Sequence, residues 1–246
     1  GLFMIKKILI IGGTQEANKL AEIFHNYNHN YIISYAGIVN KVFEKGLNKR
    51  IGGFGGKNGM IDYIEKNKVT HVVDASHPFS NKISHNTVNA CRSLNIPVIN
   101  FARKPWYKCK NDIWIRVKNF KESTRYLTGN PKRIFLAIGL KNLDFYKDYS
   151  HHFYLLRFIE KRHKLIFFPN YKCIISKGPF LVNEDIAILK KYKIDMVITK
   201  NSGGKGAYSK IIAARELKIP IIVISRPRGT TIKRVYDSNS ILEWIG

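Results

Sequence analysis

The chain has 246 residues, with 42 Lys or Arg against 17 Asp or Glu, a formal net charge of +25. That length suits one large or two small domains and buries a core without staples. Hydrophobic residues at 45% and aromatics at 12% exclude intrinsic disorder, and no apolar run approaches the roughly 18 residues that a transmembrane helix needs. The opening residues lack the apolar stretch and small-residue cleavage site of a secretory signal. Three scattered cysteines, Cys91, Cys109 and Cys173, exclude a disulfide framework and a CxxC metal site. Reduced thiols in a cytoplasmic protein are the expectation.

From the amino terminus, the apolar run Ile8 to Ile11, closed by Gly12-Gly13-Thr14, predicts a buried strand. Glu16 to Tyr27 then reads as a helix with Ala17, Leu20, Ala21 and Phe24 inward. Tyr31 to Ser34 is the next strand, and Val72-Val73 before Asp74 is another. A helix runs from about Ser80 to Leu94, and Pro97 to Phe101 returns to strand. This alternation predicts an α/β fold with a parallel, doubly wound sheet.

An internal repeat doubles that pattern. Residues 90–103 and 213–226 align without a gap, with seven of fourteen positions identical at an offset of 123. Gly12 matches Gly139, Gly52-Gly53-Phe54 matches Gly178-Pro179-Phe180, Val72-Val73 matches Met196-Val197, and Arg116-Val117 matches Arg234-Val235, in order. The repeat predicts two Rossmann-like halves, 1–129 and 130–246, joined near Gly129-Asn130-Pro131. Open α/β sheets bind ligands beyond the carboxyl ends of their strands, so a ligand cleft between the halves is expected.

The loops at those strand ends carry the candidate chemistry. Gly12-Gly13-Thr14 opens a helix, where backbone N–H groups and the helix dipole suit a phosphate, although the sequence is not GxGxxG. Arg50-Ile51-Gly52-Gly53-Phe54-Gly55-Gly56 allows close backbone approach to a ligand. Asp74-Ala75-Ser76-His77-Pro78-Phe79 leaves a strand for a helix; His77 is able to donate a proton near neutral pH, and Asp74 to orient a ligand hydroxyl or cap. Thr199-Lys200-Asn201-Ser202-Gly203-Gly204 is its repeat partner, with Lys200 a point charge for carboxylate or phosphate. Arg103 and Arg226 end equivalent strands, and pairing with a helix-end carboxylate is the plain alternative for them.

No nucleophile with a paired base stands out. His151-His152, as neighbours, are expected to alternate across a strand and so hold no metal. The basic residues are dispersed, and the densest stretch, residues 161–164, is short, which makes nucleic acid an improbable partner. The surplus charge by itself fits nucleic acid, an anionic membrane or a small polyanion, or is charge without a specific function. These features leave a reductase, a transferase or a binding protein open.

Taken together, GGTQEA, SYAG at Ser34 to Gly37, RIGGFGG, DASHPF, KGPF, TKNSGG and the two strand-end arginines resemble the precorrin-6A reductase family of cobalamin biosynthesis. The resemblance runs from Ile8 to about Pro227. It implies hydride transfer from a nicotinamide nucleotide to a macrocycle double bond, on a cobalt-free or cobalt-containing tetrapyrrole. It assigns Gly12, Gly13 and Thr14 to the dinucleotide phosphates, and Ser34, Ala36 and Gly37 to the adenosine half. Gly52, Gly53 and Phe54, with Ser76, His77 and Pro78, wall the nicotinamide side, and His77 or solvent supplies the proton. Lys200, Asn201, Ser202, Gly203 and Gly204, with Arg103 and Arg226, are expected to meet the carboxylates of the macrocycle.

Two departures stand out. Ile38 replaces an Arg that often follows the Ala-Gly pair, and Gly139-Leu140 replaces a Gly-Arg. The first removes a partner for the 2′-phosphate of NADPH, for which Arg50 or Lys41 are the candidate substitutes. NADPH is the leading cofactor and NADH the alternative. A basic RNA-binding protein on the same fold, or a reductase of another polycarboxylate, are the rivals; the oligomeric state is open.

Overall fold

A computed structural model describes residues 4–36, 46–159 and 167–246 of the chain. Gly37, Ile38, Lys41 and the basic stretch 161–164, all named above, lie outside the described residues. The first stretch holds β1 (Ile8–Ile11), α1 (Gln15–Asn26), β2 (Tyr31–Tyr35), β3 (Lys49–Ile51), α2 (Gly56–Lys66), β4 (His71–Asp74), α3 (Asn81–Leu94) and β5 (Val98–Phe101). The middle stretch holds β6 (Trp114–Val117), α4 (Phe120–Ser123), β7 (Arg133–Ala137), β8 (Phe153–Phe158), β9 (Tyr171–Ile175), α5 (Val182–Lys191), β10 (Met196–Lys200), α6 (Ser209–Glu216) and β11 (Ile221–Ile224). β12 (Arg234–Val235) and α7 (Ser238–Ile245) end the chain.

The strands form two parallel six-stranded sheets, ordered β12-β5-β4-β1-β2-β3 and β6-β11-β10-β7-β8-β9. The α/β class and the repeat are therefore as expected. All four residues of β1 are buried, because both faces of a doubly wound sheet are covered. α1 seals one face with Ala17, Leu20, Ala21 and Phe24, all fully buried, as the helical spacing predicts. α2 and α3 cover the other with Met60, Ile64, Ala90 and Cys91 against Leu9, Ile11 and Val72. The second sheet packs Phe135, Leu155, Val197, Ile221 and Val223 with Leu189 and Ile211 from α5 and α6.

The expected boundary at 129/130 is corrected. One compact unit is Gly1–Arg103 with Arg228–Gly246, and the other is Lys104–Pro227. Consecutive strands usually stay in one sheet, but here each repeat gives its sixth strand to the other sheet: β6 pairs with β11 and β12 with β5. The register preserves the repeat through this exchange. Arg116 stands opposite Val223 and Arg234 opposite Asn100, and Asn100 and Val223 are themselves equivalents at the offset of 123.

His151 and His152 do not alternate across a strand as expected. They precede β8, and their rings lie 3.9 Å apart between centroids. His152 is buried; its Nδ1 accepts from the Lys132 N–H at 2.8 Å, and its Nε2 lies 2.7 Å from the Leu127 carbonyl. Nδ1 is thus committed as an acceptor and Nε2 carries the proton. Burial holds the imidazole below its ordinary pKa, reinforced by His151 and Lys132. The unfolded chain therefore takes up a proton here before the folded one does, and stability falls as pH drops through the ordinary histidine value of about 6.5. His152→Gln should lose less of its urea midpoint between pH 7 and pH 5 than the parent protein; an equal loss in both would remove His152 as the cause.

Candidate functional site

In a doubly wound sheet, ligands sit beyond the strand ends where neighbouring connections diverge. In the first unit that point lies at β1, which pairs with β2 on one side and β4 on the other. A cavity of about 410 Å3 opens there, lined by Gly12, Gly13 and Thr14, by Ser34, Tyr35 and Ala36, and by Phe54, Ser76 and His77. Eight of the residues singled out from the sequence thus meet in one cavity. Gln15, Asn18, Ser80 and Ile83 complete its wall beside Ile11 and Tyr35.

The glycine turn is shaped by close approach. The Gly12 N–H donates to the Ser34 carbonyl at 2.8 Å, and a Cβ on Gly12 would lie 3.0 Å from that oxygen and 3.1 Å from the Tyr35 ring. Thr14 caps α1 by accepting from the Ala17 N–H at 3.1 Å and donates its hydroxyl to the Ala75 carbonyl at 2.8 Å. One side chain thus fixes the helix start and ties the turn after β1 to the segment after β4. Its hydroxyl is spent on structure, so an anion here is met by backbone N–H groups and the amino-terminal end of α1. The bare backbone at Gly12 and that helix end fit a dinucleotide phosphate.

At the end of β2, Arg50 donates to Ser34 Oγ at 2.7 Å and to the Gly52 and Gly53 carbonyls at 2.9 and 3.2 Å. Its guanidinium lies 4.0 Å from the centroid of Phe54 and 4.8 Å from that of Tyr63. Gly52 and Gly53 are outside the cavity lining and serve Arg50 with their carbonyls, whereas Phe54 reaches the wall. Among the described residues, no carboxylate lines the cavity at this strand end.

Beyond β4, Asp74 Oδ1 accepts from the Ser76 N–H at 3.1 Å and from Ser76 Oγ–H at 2.6 Å. The Phe79 N–H donates to His77 Nδ1 at 3.1 Å, which places the proton of a neutral ring on Nε2. Pro78 shapes the turn without lining the cavity.

In the second unit, the segment after β10 is braced from several sides. Asn201 brackets Trp106, its Oδ1 accepting from the Trp106 N–H at 2.8 Å and its Nδ2 donating to the Trp106 carbonyl at 3.0 Å. Trp106 Nε1 donates to the Gly204 carbonyl at 2.7 Å, and Arg226 donates to the Asn201 and Ser202 carbonyls at 3.1 Å each. Gly203 has φ +69°, and a Cβ there would strike the Arg226 guanidinium and the Lys104 carbonyl. Asn201 and Arg226 are thus internal braces, and Lys200 leads the segment they hold. Further along, buried Lys210 donates to the Ala207 carbonyl at 2.8 Å; burial, then the charge of Arg157, pushes its ammonium down to about 7. Arg103 is not in this cluster. It belongs to the first unit and pairs with Glu16 of α1 at 3.4 Å, the helix-end pairing weighed as its alternative.

The sequence reading gave no role to Gln15, Asn18, Tyr35, Ser80 and Ile83, although Gln15 and Tyr35 lie inside two of its motifs. The first two carried a signal: three residues apart, they share a face of α1, and Asn18 Oδ1 accepts from the Tyr35 hydroxyl at 2.6 Å. Among the described residues, no group of three or more His, Cys, Asp or Glu is arranged to hold a metal ion. The dual use of Thr14 is testable: Thr14→Ala should lower the unfolding free energy by about 1 kcal/mol and Thr14→Ser much less, measured by urea denaturation. Equal stability of all three would show that the cap does not support α1.

Comparison with known proteins bears on what this site serves. The model of the family described as "Precorrin-6x reductase CbiJ/CobK" matches residues 7–246. A Rhodobacter capsulatus protein named precorrin-6A reductase is 38% identical over 221 residues, covering 90% of this chain and 88% of its own length. A cobalt-precorrin-6A reductase of Methanocaldococcus jannaschii is 28% identical over 230 residues, covering 90% of each chain. The solved structure of "CobK precorrin-6A reductase" superposes with a TM-score of 0.92 at 35% identity, covering 98% of this chain and 96% of the other. With the family model spanning nearly its whole length, the chain belongs to the precorrin-6x reductase CbiJ/CobK family.

Proposed function

We propose that this protein is an oxidoreductase of cobalamin biosynthesis, reducing a double bond of the precorrin-6A or cobalt-precorrin-6A macrocycle to the 6B form at the expense of NADPH. The observation that carries the nucleotide assignment is the cavity where β1, β2 and β4 end, lined by Gly12, Gly13 and Thr14 on one side and Ser76 and His77 on the other. When bound, the reduced nicotinamide supplies a hydride to one carbon of the double bond, and a proton completes the other. In this reading the turn at Gly12 and the start of α1 hold the pyrophosphate. Ser34 and Ala36 flank the adenosine at the β2 end, and Ser76, His77 and Pro78 shape the nicotinamide side. The proton comes from solvent or from His77 as an imidazolium, a neutral imidazole being unable to give up its Nε2 proton alone. Lys200 and the braced segment to Gly204, with Arg226 behind it, face the macrocycle carboxylates, and the charge of +25 draws that polyanion in.

NADPH is favoured over NADH by the β2 end. An NAD-type site places a carboxylate there for the ribose 2′-hydroxyl; this one has Ser34, Tyr35 and Ala36 beside the Arg50 guanidinium. No helix among the described residues is long and apolar enough to cross a membrane, and a cytoplasmic enzyme is part of the proposal.

An anaerobic assay of precorrin-6A and its cobalt form, each with NADPH and NADH and followed by macrocycle absorbance, tests the reading. Turnover with NADPH is expected; binding of neither nucleotide nor tetrapyrrole would overturn it. Arg50→Ala should weaken NADPH about tenfold more than NADH, the size of one lost charge-assisted contact. Equal weakening of both, measured by nucleotide fluorescence titration, would make Arg50 a brace for residues 52 and 53 alone.

A further inference from the structure

Asp74 is a fully buried acid in a strongly basic protein, and half of its carboxylate has no evident use. Oδ1 takes both the N–H and the Oγ–H of Ser76, while Oδ2 is buried without a hydrogen-bond partner among the described residues. Around it lie the apolar contacts of β4 and α3, including the Cys91 thiol, which burial and then the Asp74 charge push up to about 12. Burying an acid oxygen without a partner costs stability, so fold stability alone does not account for this residue.

Its effect is on Ser76, a residue that lines the cavity. The 2.6 Å contact commits the Ser76 hydroxyl proton to Asp74. Ser84 Oγ, 3.1 Å away, is then the donor in its own contact with Ser76 Oγ. With its proton turned inward, the Ser76 oxygen can present only a lone pair to a ligand.

We propose that Asp74 is a positioning residue for the reduction, making Ser76 an obligate acceptor that holds the carboxamide –NH2 of the nicotinamide. The sheet order supports that location: Ser76 follows β4, on the opposite side of β1 from the adenosine end at β2, where the nicotinamide half of a dinucleotide lies. An acceptor there distinguishes a carboxamide from groups of similar shape that lack N–H. The inference rests on the nucleotide reading above.

The test compares binding of NADPH with that of its reduced 3-acetylpyridine analogue, which keeps the carbonyl and lacks the –NH2. The parent protein should prefer NADPH by about five- to tenfold, the size of one hydrogen bond. Ser76→Ala should abolish the preference, and so should Asp74→Leu. Asp74→Asn should retain it, because only the Asn oxygen can take the Ser76 N–H, and the same oxygen then takes the hydroxyl. If Asp74→Leu does not fold, Ser76→Ala still decides. A preference that survives in Ser76→Ala overturns the inference while leaving the nucleotide site intact. Failure of the parent protein to bind either nucleotide overturns the site and the inference together.

Discussion

One transverse row of residues orders the first unit. Pairing register places Arg50, Ser34, Ile11, Asp74, Asn100 and Arg234 side by side across β3, β2, β1, β4, β5 and β12. In-register residues of a parallel sheet share a face, so a polar row closes the carboxyl-terminal margin of an otherwise apolar surface. The row is also bonded laterally: Arg50 to Ser34, Asn100 Nδ2 to the Asp74 carbonyl at 3.0 Å, and Arg234 to Asn100 Oδ1 at 2.9 Å. The exchanged strand β12 therefore does more than cover an edge. Its Arg234 supports Asn100, and Asn100 supports the backbone at which the Ser76 segment begins.

The second unit repeats the topology but not the chemistry. By register, Thr199 stands in the place of Asp74, Val223 in that of Asn100 and Ala137 in that of Ile11. Arg157, one residue beyond the Leu136–Leu156 pair, stands where Ser34 stands in the first unit. It turns to Asp185, whose other oxygen takes the Ser209 hydroxyl at 2.6 Å. Among the described residues after β7 there is no counterpart of α1, only a single turn at Leu143–Tyr146. A long helix beginning directly after a glycine turn suits the first unit to an anion, and the described residues of the second unit have no such helix at the equivalent position.

Much of this was legible in the sequence because parallel strands announce themselves as short apolar runs, and their useful loops follow at once. Ile8 to Ile11, the inward face of α1 and the equivalence of Arg116 with Arg234 were all readable from periodicity and repetition. The exchange of β6 and β12 was not, because repeat similarity records which strands are equivalent and not which sheet each one joins. Nor was the division of labour inside the loops. Gly52, Asn201 and Arg103 sit in motifs that read as ligand contacts, yet each has an interior partner: the Arg50 guanidinium, the Trp106 backbone and the Glu16 carboxylate. Composition cannot distinguish a polar group offered to a ligand from one consumed by the loop that carries it.

That consumption has a consequence for catalysis. Thr14, Arg50 and Asp74 in the first unit, and Asn201 and Arg226 in the second, spend hydrogen bonds holding the loops of their own unit, and Lys210 holds Ala207 from a buried position where charge is costly. Glycine-rich loops lose the most conformational entropy on ordering, so without these braces each would be ordered by its ligand at the expense of affinity. Ordering them in advance moves that cost into folding, where the buried sheets meet it. A reduction needs its reacting groups aligned closely, and loops whose polar residues mainly restrain one another are suited to hold what they bind in a fixed position.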